Sequence, residues 1–312
     1  MANVLVIKHG ALGDFVMATG AFAAIRAHHA GDRVALLTTT AFADLGRSSN
    51  LFDEVLVDER PGFWQLGRVL ALRRQLVALG LKRVYDLQTS DRTGMYFRLL
   101  PSPKPTWSGI VRGCSHPHAT PHRGRLHTID RLAEQLALAG VGPTPAPDLG
   151  WLTADVTRFG LPARYALLVP GGAPHRPAKR WPAYRYAELA AMLLERAIAP
   201  VLIGTRSEHE VLDEIRRRES RVRDLGGQTS LADIAALARG AVFGVGNDTG
   251  PMHILAITGC PSVVLFSAES NPTRTAPRGP SVTIRQVEDL ATLPLAAVNA
   301  AIAEVAQSAW GP

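Results

Sequence analysis

The sequence predicts an α/β protein with two tandem domains, each built on a parallel β-sheet that helices cover on both faces. Short apolar runs of strand length alternate with helical patterns through the first hundred residues, which is typical of parallel sheets. The same alternation starts again at Tyr165, after a segment at 140–147 that is rich in Gly and Pro and has the composition of a linker. We therefore predict an N-terminal domain at residues 1–150 and a C-terminal domain at 151–312.

In the first half, an apolar run leads into a Gly-containing turn and then a helical pattern, which together open a βα unit. Periodicity predicts strands at Val4–Ile7, Val34–Leu37, Val55–Val57 and Val84–Leu87, and helices at 63–79 and 127–139. Residues 101–125 hold five Pro, three Gly and three His without a sustained period. We expect a long loop or lid there.

The second half repeats this plan. Strands are predicted at Tyr165–Val169, Pro200–Ile203, Ala241–Val245 and Pro261–Phe266, and helices at 184–196, 208–218, 231–239, 252–258 and 293–309. The last helix is a candidate to pack back on the first domain. Ligands of such folds bind beyond the carboxyl ends of the strands, so we expect a binding cleft between the two sheets.

Composition excludes several classes of protein. Of the 312 residues, 46% are apolar, which excludes disorder as the main state, and no apolar run approaches the ~20 residues of a membrane span. The N-terminus has no pattern of a secretory signal, and two cysteines, Cys114 and Cys260, make no disulfide framework. We expect a cytoplasmic protein.

The net charge is +7, and most of the excess lies in the first half. This excess suits an anionic substrate or an anionic membrane surface, although a coding bias towards Arg explains it equally well. There is no dense tract of Lys and Arg, so we expect no nucleic-acid partner.

Residues 10–14 (GALGD) are the first candidate site, because they join the first strand to its helix. Glycines let the backbone turn tightly or approach a ligand, and Asp14 would lie where the helix begins. Asp14 is then either a carboxylate that faces a ligand or only an N-cap of the helix. The spacing alone does not decide between the two, and it is not the GxGxxG of dinucleotide sites.

Residues 170–182 (PGGAPHRPAKRWP) are the second candidate site, at the start of a helix. Cations such as Lys179 and Arg180, together with free N–H groups, would form an anion site that suits a diphosphate. The alternative is a solvated basic loop that Trp181 anchors to the core.

Residues 244–253 (GVGNDTGPMH) are the third candidate site and follow a buried strand. Asp248 would accept hydrogen bonds from sugar hydroxyls, while Thr249 and Gly250 would donate to phosphate. The alternative is an ordinary capped helix.

In this order, the three segments resemble glycosyltransferase family 9, the heptosyltransferase family of lipopolysaccharide core assembly. The matching residues are Lys-His-Gly-x-x-Gly-Asp, then Pro-Gly followed by Ala-Lys-Arg-Trp-Pro, then Asn-Asp-Thr-Gly-Pro-x-His with a later Gly-x-Pro-x-Val-x-Leu-Phe. The resemblance runs from Val4 to about Phe266. It implies a GT-B type fold of two Rossmann-like domains, with the nucleotide sugar on the C-terminal domain and the acceptor on the N-terminal one.

The resemblance also implies roles for single residues of the donor site. Lys179 corresponds to the cation on the donor diphosphate, where it would stabilise charge on the leaving group. Glu208 corresponds to the acid that holds the donor ribose, and Asp248 to a residue that contacts the donor sugar. The predicted donor site comprises Gly172, Lys179, Glu208, Asp248, Thr249 and Gly250.

On the acceptor side, Asp14 corresponds to the general base, and Gly13, Arg92 and Arg112 are candidates for acceptor binding. The resemblance implies inversion at the anomeric carbon without a metal or other cofactor, and the chain has no Asp-x-Asp that would hold a metal against a diphosphate. The sequence departs from the family at Gly20, where a Pro is usual, and after Phe266, where Ser-Ala-Glu-Ser replaces Gly-Pro-Thr. The second departure lies near the expected position of the donor base and sugar.

Two further groups of residues carry no assignment to a metal or to catalysis. The histidines at 116–122 lack carboxylates at ligand spacing, and Asp130 and Glu134 are expected on a solvated helix face. This segment, together with Arg92, Arg98, Arg112, Arg123 and Arg125, either meets an anionic acceptor or is only scattered surface charge.

We therefore expect an inverting transferase that moves a heptose from ADP-heptose onto an anionic saccharide of the lipopolysaccharide inner core or a related saccharide. Such an enzyme could contact the inner membrane peripherally. Three alternatives remain open at this point: another nucleotide-sugar donor, an epimerase or hydrolase of the same architecture, and a binding protein without catalysis. The presence of Asp14, Lys179 and Asp248 together argues against the last.

Overall fold

The computed structural model describes residues 3–62, 64–172 and 176–307, and it divides into two compact units, Met1–Pro147 and Asp148–Pro312. Each unit has its own sheet and its own buried core. The division lies close to the predicted boundary after residue 150. Within the described ranges, every helix is too short or too polar to cross a bilayer.

The first unit alternates strands and helices. Its strands are β1 (Asn3–Ile7), β2 (Arg33–Thr38), β3 (Glu54–Val57), β4 (Arg83–Asp86), β5 (Thr106–Gly109) and β6 (His116–Pro117). Its helices are α1 (Leu12–Met17), α2 (Thr19–His28), α3 (Thr40–Ser48), α4 (Leu66–Ala78), α5 (Asp91–Leu99) and α6 (Thr128–Leu138).

All six strands of this unit are parallel, in the order β3-β2-β1-β4-β5-β6. The strand order reverses between β1 and β4, so the loops that follow these two strands diverge at the carboxyl edge of the sheet. Such a switch point is where open parallel sheets bind ligands. Leu5, Ile7, Leu37 and Trp107 lie in the core beneath it.

The second unit has strands β7 (Tyr165–Val169), β8 (Ala199–Leu202), β9 (Arg223–Asp224), β10 (Phe243–Asn247), β11 (Ser262–Phe266) and β12 (Val282–Gln286). Its helices are α7 (Ala183–Glu195), α8 (His209–Arg218), α9 (Leu231–Gly240), α10 (Gly250–Ile257), α11 (Pro272–Thr275) and α12 (Leu295–Val305). The predicted helix at 293–309 is thus shorter, and its last two residues lie outside the described ranges.

The parallel order β12-β11-β10-β7-β8-β9 repeats that of the first unit, with the switch point between β7 and β10. Helix α12 packs against β11, β12 and α7, and contributes Val298, Ala301 and Ile302 to the core of its own unit. The eight predicted strands are confirmed to within two residues at each end.

The prediction of a continuous loop at 101–125 is wrong, because β5 and β6 lie inside it. Strand β5 has four residues with one large apolar side chain, Trp107, and β6 is a two-residue edge strand, so neither produces an apolar pattern. The pattern also does not predict β9 or β12. Strand β9 has two residues, and β12 is half-buried at the edge of its sheet.

Gly20 of α2 is the position where the family that the sequence resembles usually has Pro. It packs against residues 145–147, which end the first unit. A Cβ added there would come within 2.2 Å of the carbonyl oxygen of Pro145. The backbone of residues 145–147 therefore lies directly on the helix, and no side chain fits between them.

We predict that Gly20→Ala lowers the free energy of unfolding by about 1–3 kcal/mol, although Ala is the better helix former. Gly67→Ala is the matched control, because Gly67 is likewise the second residue of its helix and an added Cβ would meet nothing within 4 Å. That control should be neutral or stabilising by up to about 1 kcal/mol. Chemical denaturation of both variants makes the comparison, and equal effects at the two positions would contradict the proposed contact.

Candidate functional site

In the first unit, the loop after β1 is held from both sides. The His9 backbone N–H donates to Gln88 Oε1 at 2.9 Å, and the Thr39 hydroxyl donates to the His9 carbonyl at 3.1 Å. Gln88 follows β4 and Thr39 follows β2, so three loops of the carboxyl edge are joined here. These contacts fix the path of the chain into α1.

Asp14 is the third residue of α1 and is partly exposed, while Gly13 before it is buried. The N-cap position is occupied by Ala11, so the interpretation of Asp14 as an N-cap is wrong. The backbone is extended at Ala11 and already helical at Leu12, which starts the helix before Asp14 is reached. A negative charge in the first turn interacts favourably with the helix dipole, but the Asp14 side chain does not cap the helix.

A lysine and a carboxyl group are buried together behind Asp14. Lys8 follows β1 and donates from Nζ to the Leu87 carbonyl at 3.3 Å, and Asp86 ends the neighbouring strand β4. Burial lowers the pKa of Lys8, while the carboxylates of Asp14 and Asp86 oppose this change and Arg131 adds to it. Burial raises the pKa of Asp86 to about 6, although the backbone N–H groups of the next loop donate to it.

A second buried carboxylate, Asp58, lies directly after β3. His9 Nε2 lies 3.1 Å from Asp58 Oδ2, the Tyr96 hydroxyl donates to the same oxygen, and the Arg60 backbone N–H donates to Oδ1 at 2.7 Å. Burial opposes ionisation of Asp58, but the hydrogen bonds from His9, Tyr96 and Arg60 hold its pKa below the usual value. Asp58 therefore ties the loop after β3 to the loop that leads to Asp14.

Glu134 of α6 holds the His-rich segment. The Thr120 hydroxyl donates to Oε1 at 2.5 Å, with His118 Nε2 3.1 Å from the same oxygen, and His122 Nε2 lies 2.9 Å from Oε2. The hydrogen bond from Thr120 and those from the two histidines lower the pKa of Glu134 to about 2. The prediction that Glu134 lies on a solvated helix face is wrong, because the chain after β6 folds back over α6.

The candidate acceptor arginines divide into two groups. Arg92 donates to the Pro61 carbonyl at 3.0 Å, and Arg123 donates to the Thr89 hydroxyl at 2.8 Å, so both lie at the carboxyl edge of the first sheet. The exposed group comprises Arg98, Arg112 and Arg125. Of the two arginines predicted to bind the acceptor, Arg92 is held by its hydrogen bond to the loop after β3, whereas Arg112 is exposed.

In the second unit, Asn247 organises the switch point. Its fully buried amide donates to the carbonyls of Pro170 and Gly171 at 2.8 and 3.1 Å. Its Oδ1 accepts from the Trp181 backbone N–H at 3.0 Å and from the Tyr186 hydroxyl at 3.1 Å. One side chain at the end of β10 thus connects the loop after β7 with the start of α7.

Glu208 bridges the loops after β7 and β8. It accepts from the Gly172 backbone N–H at 2.8 Å, and from the backbone N–H and hydroxyl of Thr205 at 2.7 and 2.9 Å. A Cβ at Gly171 would come within 1.9 Å of Glu208 Oε1, so this approach requires glycine. The structure thus brings together the predicted residues Gly172 and Glu208.

Lys179 and Asp248 form an ion pair, with Nζ and Oδ2 2.5 Å apart and both side chains largely buried. Thr249 precedes α10 with extended backbone and makes no side-chain cap bond, and the helix begins at Gly250. The N-terminus of α10, with its positive dipole end, thus lies directly after the ion pair in the chain. Of the predicted basic segment, residues 173–175 lie outside the described residues.

Sequence reasoning missed Asn247, Lys8, Asp58 and Asp86 as parts of the two sites. Asn247 and Lys8 lie inside the motifs, but nothing in their spacing shows that they are buried. Asp58 and Asp86 carry a signal in the sequence: Asp58 directly follows the predicted strand Val55–Val57, and Asp86 is a carboxylate near the end of the predicted strand Val84–Leu87. In the described part of the chain, no three His, Cys, Asp or Glu side chains are grouped so as to hold a metal ion.

Two Rossmann-like α/β domains in one chain, with polar and charged groups at both switch points, define the GT-B type of fold, as the sequence predicts. The model of glycosyltransferase family 9 (heptosyltransferase) matches residues 125–296, which is more than half of the chain. The chain therefore belongs to glycosyltransferase family 9.

Curated relatives match a shorter part of the chain. Lipopolysaccharide heptosyltransferase 2 of Escherichia coli K12 is 38% identical over 104 residues, which is 32% of this chain and 30% of that protein. Lipooligosaccharide heptosyltransferase 2 of Haemophilus influenzae is 39% identical over 119 residues, 36% of this chain and 34% of its own length. The aligned segments thus span about a third of these relatives.

Solved structures match the fold over nearly the whole chain. ADP-heptose lipopolysaccharide heptosyltransferase II of E. coli has a TM-score of 0.80 at 21% identity and covers 99% of both chains. A family 9 glycosyl transferase of Veillonella parvula reaches 0.86 at 19%, covering 98% of this chain and 97% of its own. E. coli heptosyltransferase WaaC with ADP reaches 0.78 at 21%, covering 97% and 100%.

We predict that Glu134→Gln lowers the free energy of unfolding by about 1 kcal/mol or more at pH 7, because three charge-assisted hydrogen bonds to the segment after β6 weaken. A depressed folded pKa adds stability above the unfolded value of about 4.5, and this stability is lost as the pH falls towards about 2. The difference between variant and parent should therefore shrink below about pH 4.5.

The measurement is denaturant unfolding from pH 7 down to the lowest pH at which both proteins remain folded. Glu210→Gln, at an exposed acid in the first turn of α8, is the control and should show no such convergence. A constant difference across the acid range would show that the Glu134 carboxylate does not hold the segment.

Proposed function

We propose that this protein is an inverting glycosyltransferase that transfers a heptose from ADP-heptose to an anionic saccharide of the lipopolysaccharide inner core. Membership of glycosyltransferase family 9 supports the reaction class. The observation that carries the proposal is the set of groups at the second switch point, where Lys179, Asp248, Glu208 and the start of α10 surround the loop after β7. Cations and helix N–H groups beside carboxylates match a donor that has a diphosphate between two sugars.

On this proposal, the second unit binds the donor. Lys179 and the N-terminus of α10, at Thr249 and Gly250, bind the diphosphate, and both stabilise the negative charge that the leaving ADP acquires. Asp248 accepts hydrogen bonds from the heptose hydroxyls, and Glu208 holds the ribose. Charge stabilisation from these residues makes the proposed reaction independent of a metal.

The first unit is proposed to bind the acceptor and to supply the base. An acceptor hydroxyl oxygen attacks the anomeric carbon from the face opposite the diphosphate, the carbon–oxygen bond to ADP breaks, and Asp14 takes the hydroxyl proton. Asp14 lies in the first turn of α1, and its carboxylate interacts electrostatically with the buried Lys8. Gly13, Arg92 and Arg112 are proposed to contact the acceptor, of which Arg92 has the best-defined position.

An acceptor of this class is anchored in a membrane, so we further propose that the protein works at the cytoplasmic face of the inner membrane. The basic excess of the first half of the chain supports this assignment, because cytoplasmic leaflets carry negative surface charge.

Thermal-shift measurements with a panel of nucleoside diphosphate sugars test the donor, because selective binding to the folded state raises the melting temperature. We expect ADP-heptose to stabilise more than UDP- or GDP-sugars. The same donors are then incubated without acceptor. Conversion of the donor alone would indicate an epimerase or hydrolase. This alternative is tested because the chain is also similar in fold to the UDP-GlcNAc 2-epimerase of Methanocaldococcus jannaschii, with a TM-score of 0.61 at 11% identity over 98% of this chain and 92% of that one.

We predict that Lys179→Ala weakens binding of ADP-heptose by about 10- to 100-fold, because a charge-assisted contact to the diphosphate is lost and Asp248 is left without its cation. Isothermal calorimetry with ADP and with ADP-heptose measures the effect. Lys82→Ala, at an exposed lysine before β4, is the control and should bind both normally. Unchanged donor affinity in the Lys179 variant would mean that Lys179 serves only its ion pair with Asp248 and does not contact the diphosphate.

We predict that Asp14→Asn lowers kcat by about 10²–10⁴-fold while donor affinity and melting temperature stay nearly unchanged, because the proton acceptor is lost and no cap is removed. Asp130→Asn is the matched control, since Asp130 is likewise the third residue of its helix, α6. The control reveals any effect of removing a first-turn charge and should retain turnover. Near-normal turnover of a folded Asp14→Asn protein would refute the assignment of the base.

A further inference from the structure

The first unit exposes a concentrated apolar surface at α4 and immediately before it. Seven large hydrophobic residues of the described chain are exposed, and four of them are Trp64 (83%), Leu66 (69%), Leu70 (48%) and Val77 (39%). Isolated exposed apolar side chains are common on soluble proteins, but a cluster in one short segment marks a contact surface.

The three aliphatic residues form one stripe along the helix. At about 100° per residue, Leu66, Leu70 and Val77 project within about 40° of one another. The core-facing side of the same helix is formed by Leu72 and Leu76, which are buried. Helix α4 therefore has two apolar faces, of which only one is covered by the unit, and we call the uncovered stripe together with Trp64 the α4 surface.

The charged residues of α4 itself are all basic, and the acid next to the helix, Glu59, lies 3.9 Å from Arg68, about 160° around the helix from the stripe. Helix α4 contains Arg68, Arg73 and Arg74 and no acidic residue. By the same helical geometry, Arg73 and Arg74 lie on the two sides of the aliphatic stripe. Arg73 is half-buried and donates from Nε to the Leu99 carbonyl at 2.9 Å, whereas Arg74 is exposed. A tryptophan at the start of a basic helix with an exposed apolar stripe is typical of segments that lie in the interface of an anionic bilayer.

The α4 surface is connected to the candidate acceptor site within the same unit. The chain runs from Asp58 through Pro61, whose carbonyl accepts from Arg92, into Trp64 and α4. The tryptophan end of the surface therefore lies at the carboxyl edge of the sheet, beside the residues proposed to bind the acceptor.

We propose that the α4 surface docks the first unit onto an anionic phospholipid bilayer, with Trp64 and the leucines among the headgroups and acyl chains and with the exposed Arg74 on a lipid phosphate. This inference rests on the proposed function, because a membrane-anchored acceptor gives the docking its purpose. A second copy of the chain is a poorer occupant, since two such surfaces face to face would bring like charges together without an acidic partner.

The test uses the full chain and vesicles of phosphatidylcholine with or without phosphatidylglycerol, without donor or acceptor. We expect sedimentation with the anionic vesicles only, weakening as salt is added. Trp64→Ser combined with Leu70→Gln should weaken binding at least about tenfold, because two large apolar groups no longer enter the bilayer. Arg74→Gln should weaken it about fivefold.

Leu138→Gln is the matched control, because Leu138 is 47% exposed on α6 outside the α4 surface, and it should bind like the parent. Vesicle binding that is equal in the Trp64/Leu70 variant and the parent would overturn the proposal. Loss of a dimer by that variant in light scattering, with vesicle binding intact, would assign the surface to a second copy instead.

Transfer assays separate this inference from the proposed function. The Trp64/Leu70 variant should retain parental kcat on a delipidated, water-soluble saccharide acceptor and lose activity on the same acceptor embedded in vesicles. An equal loss on both acceptors would place the surface in the saccharide site and overturn membrane docking. If no transfer is seen with any acceptor, the proposed function fails, whereas the vesicle-binding result stands independently.

Discussion

The Asn247 side chain makes four hydrogen bonds that hold the second switch point together. Two go to carbonyls of the loop after β7 and two come from the start of α7. A neutral amide suits this position because it both donates and accepts, so all of its polar atoms are satisfied without burying a charge. Asn247 thus binds both ends of the basic segment at 170–182. Lys179, near the second of these ends, therefore lies close to Asp248, the residue that follows Asn247 in the chain. Glu208 then joins the same loop to the one after β8.

The first switch point uses buried charge for the same purpose. Asp58 follows β3 and Asp86 is the last residue of β4, and each accepts hydrogen bonds from the backbone of the loop after its strand. Carboxylates only accept hydrogen bonds, so they depend on the donors and the positive charge that His9, Tyr96 and Lys8 bring near them. Burial lowers the pKa of Lys8, and burial together with the hydrogen bond to Asp58 raises the pKa of Tyr96. Equivalent positions of the two sheets are thus organised by different chemistry, and ionisable groups are buried mainly in the unit that carries Asp14.

The strands that were predicted from sequence and those that were not differ in how much apolar side chain they bury. Strands β1, β7 and β11 are runs of four or five apolar residues that a sheet covered on both faces requires, and they are recognisable without any partner. Strands β6 and β9 have two residues each and exist only because a longer neighbour pairs with them. No local pattern specifies such edge strands.

Site residues were likewise predictable where a local sequence pattern marks them and not where they depend on distant partners. The motifs around Asp14, Lys179 and Asp248 were found because glycines and charges follow strong strands, and the structure brings Lys179 to Asp248 across the second switch point. Glu134 was assigned to a solvated face because its three partners come from a loop with no periodicity. The N-cap assignment of Asp14 failed for a geometric reason, since a shift of helix start by three residues is invisible in a short glycine-containing turn.

The carboxyl groups of Asp86 and Glu134, both in the first unit, change the stability of the fold with pH in opposite directions. Asp86 has a raised folded pKa of about 6, so the folded protein binds more protons than the unfolded chain between about pH 4 and 6, and its contribution to stability falls as the pH rises through that range. Glu134 has a lowered folded pKa of about 2, so its contribution grows as the pH rises to about 4.5. The two effects partly offset one another near pH 4 and not above pH 6. At neutral pH, ionised Asp86 therefore depends on Lys8 and the donors of its loop, which links the stability of this switch point to the same lysine that faces Asp14.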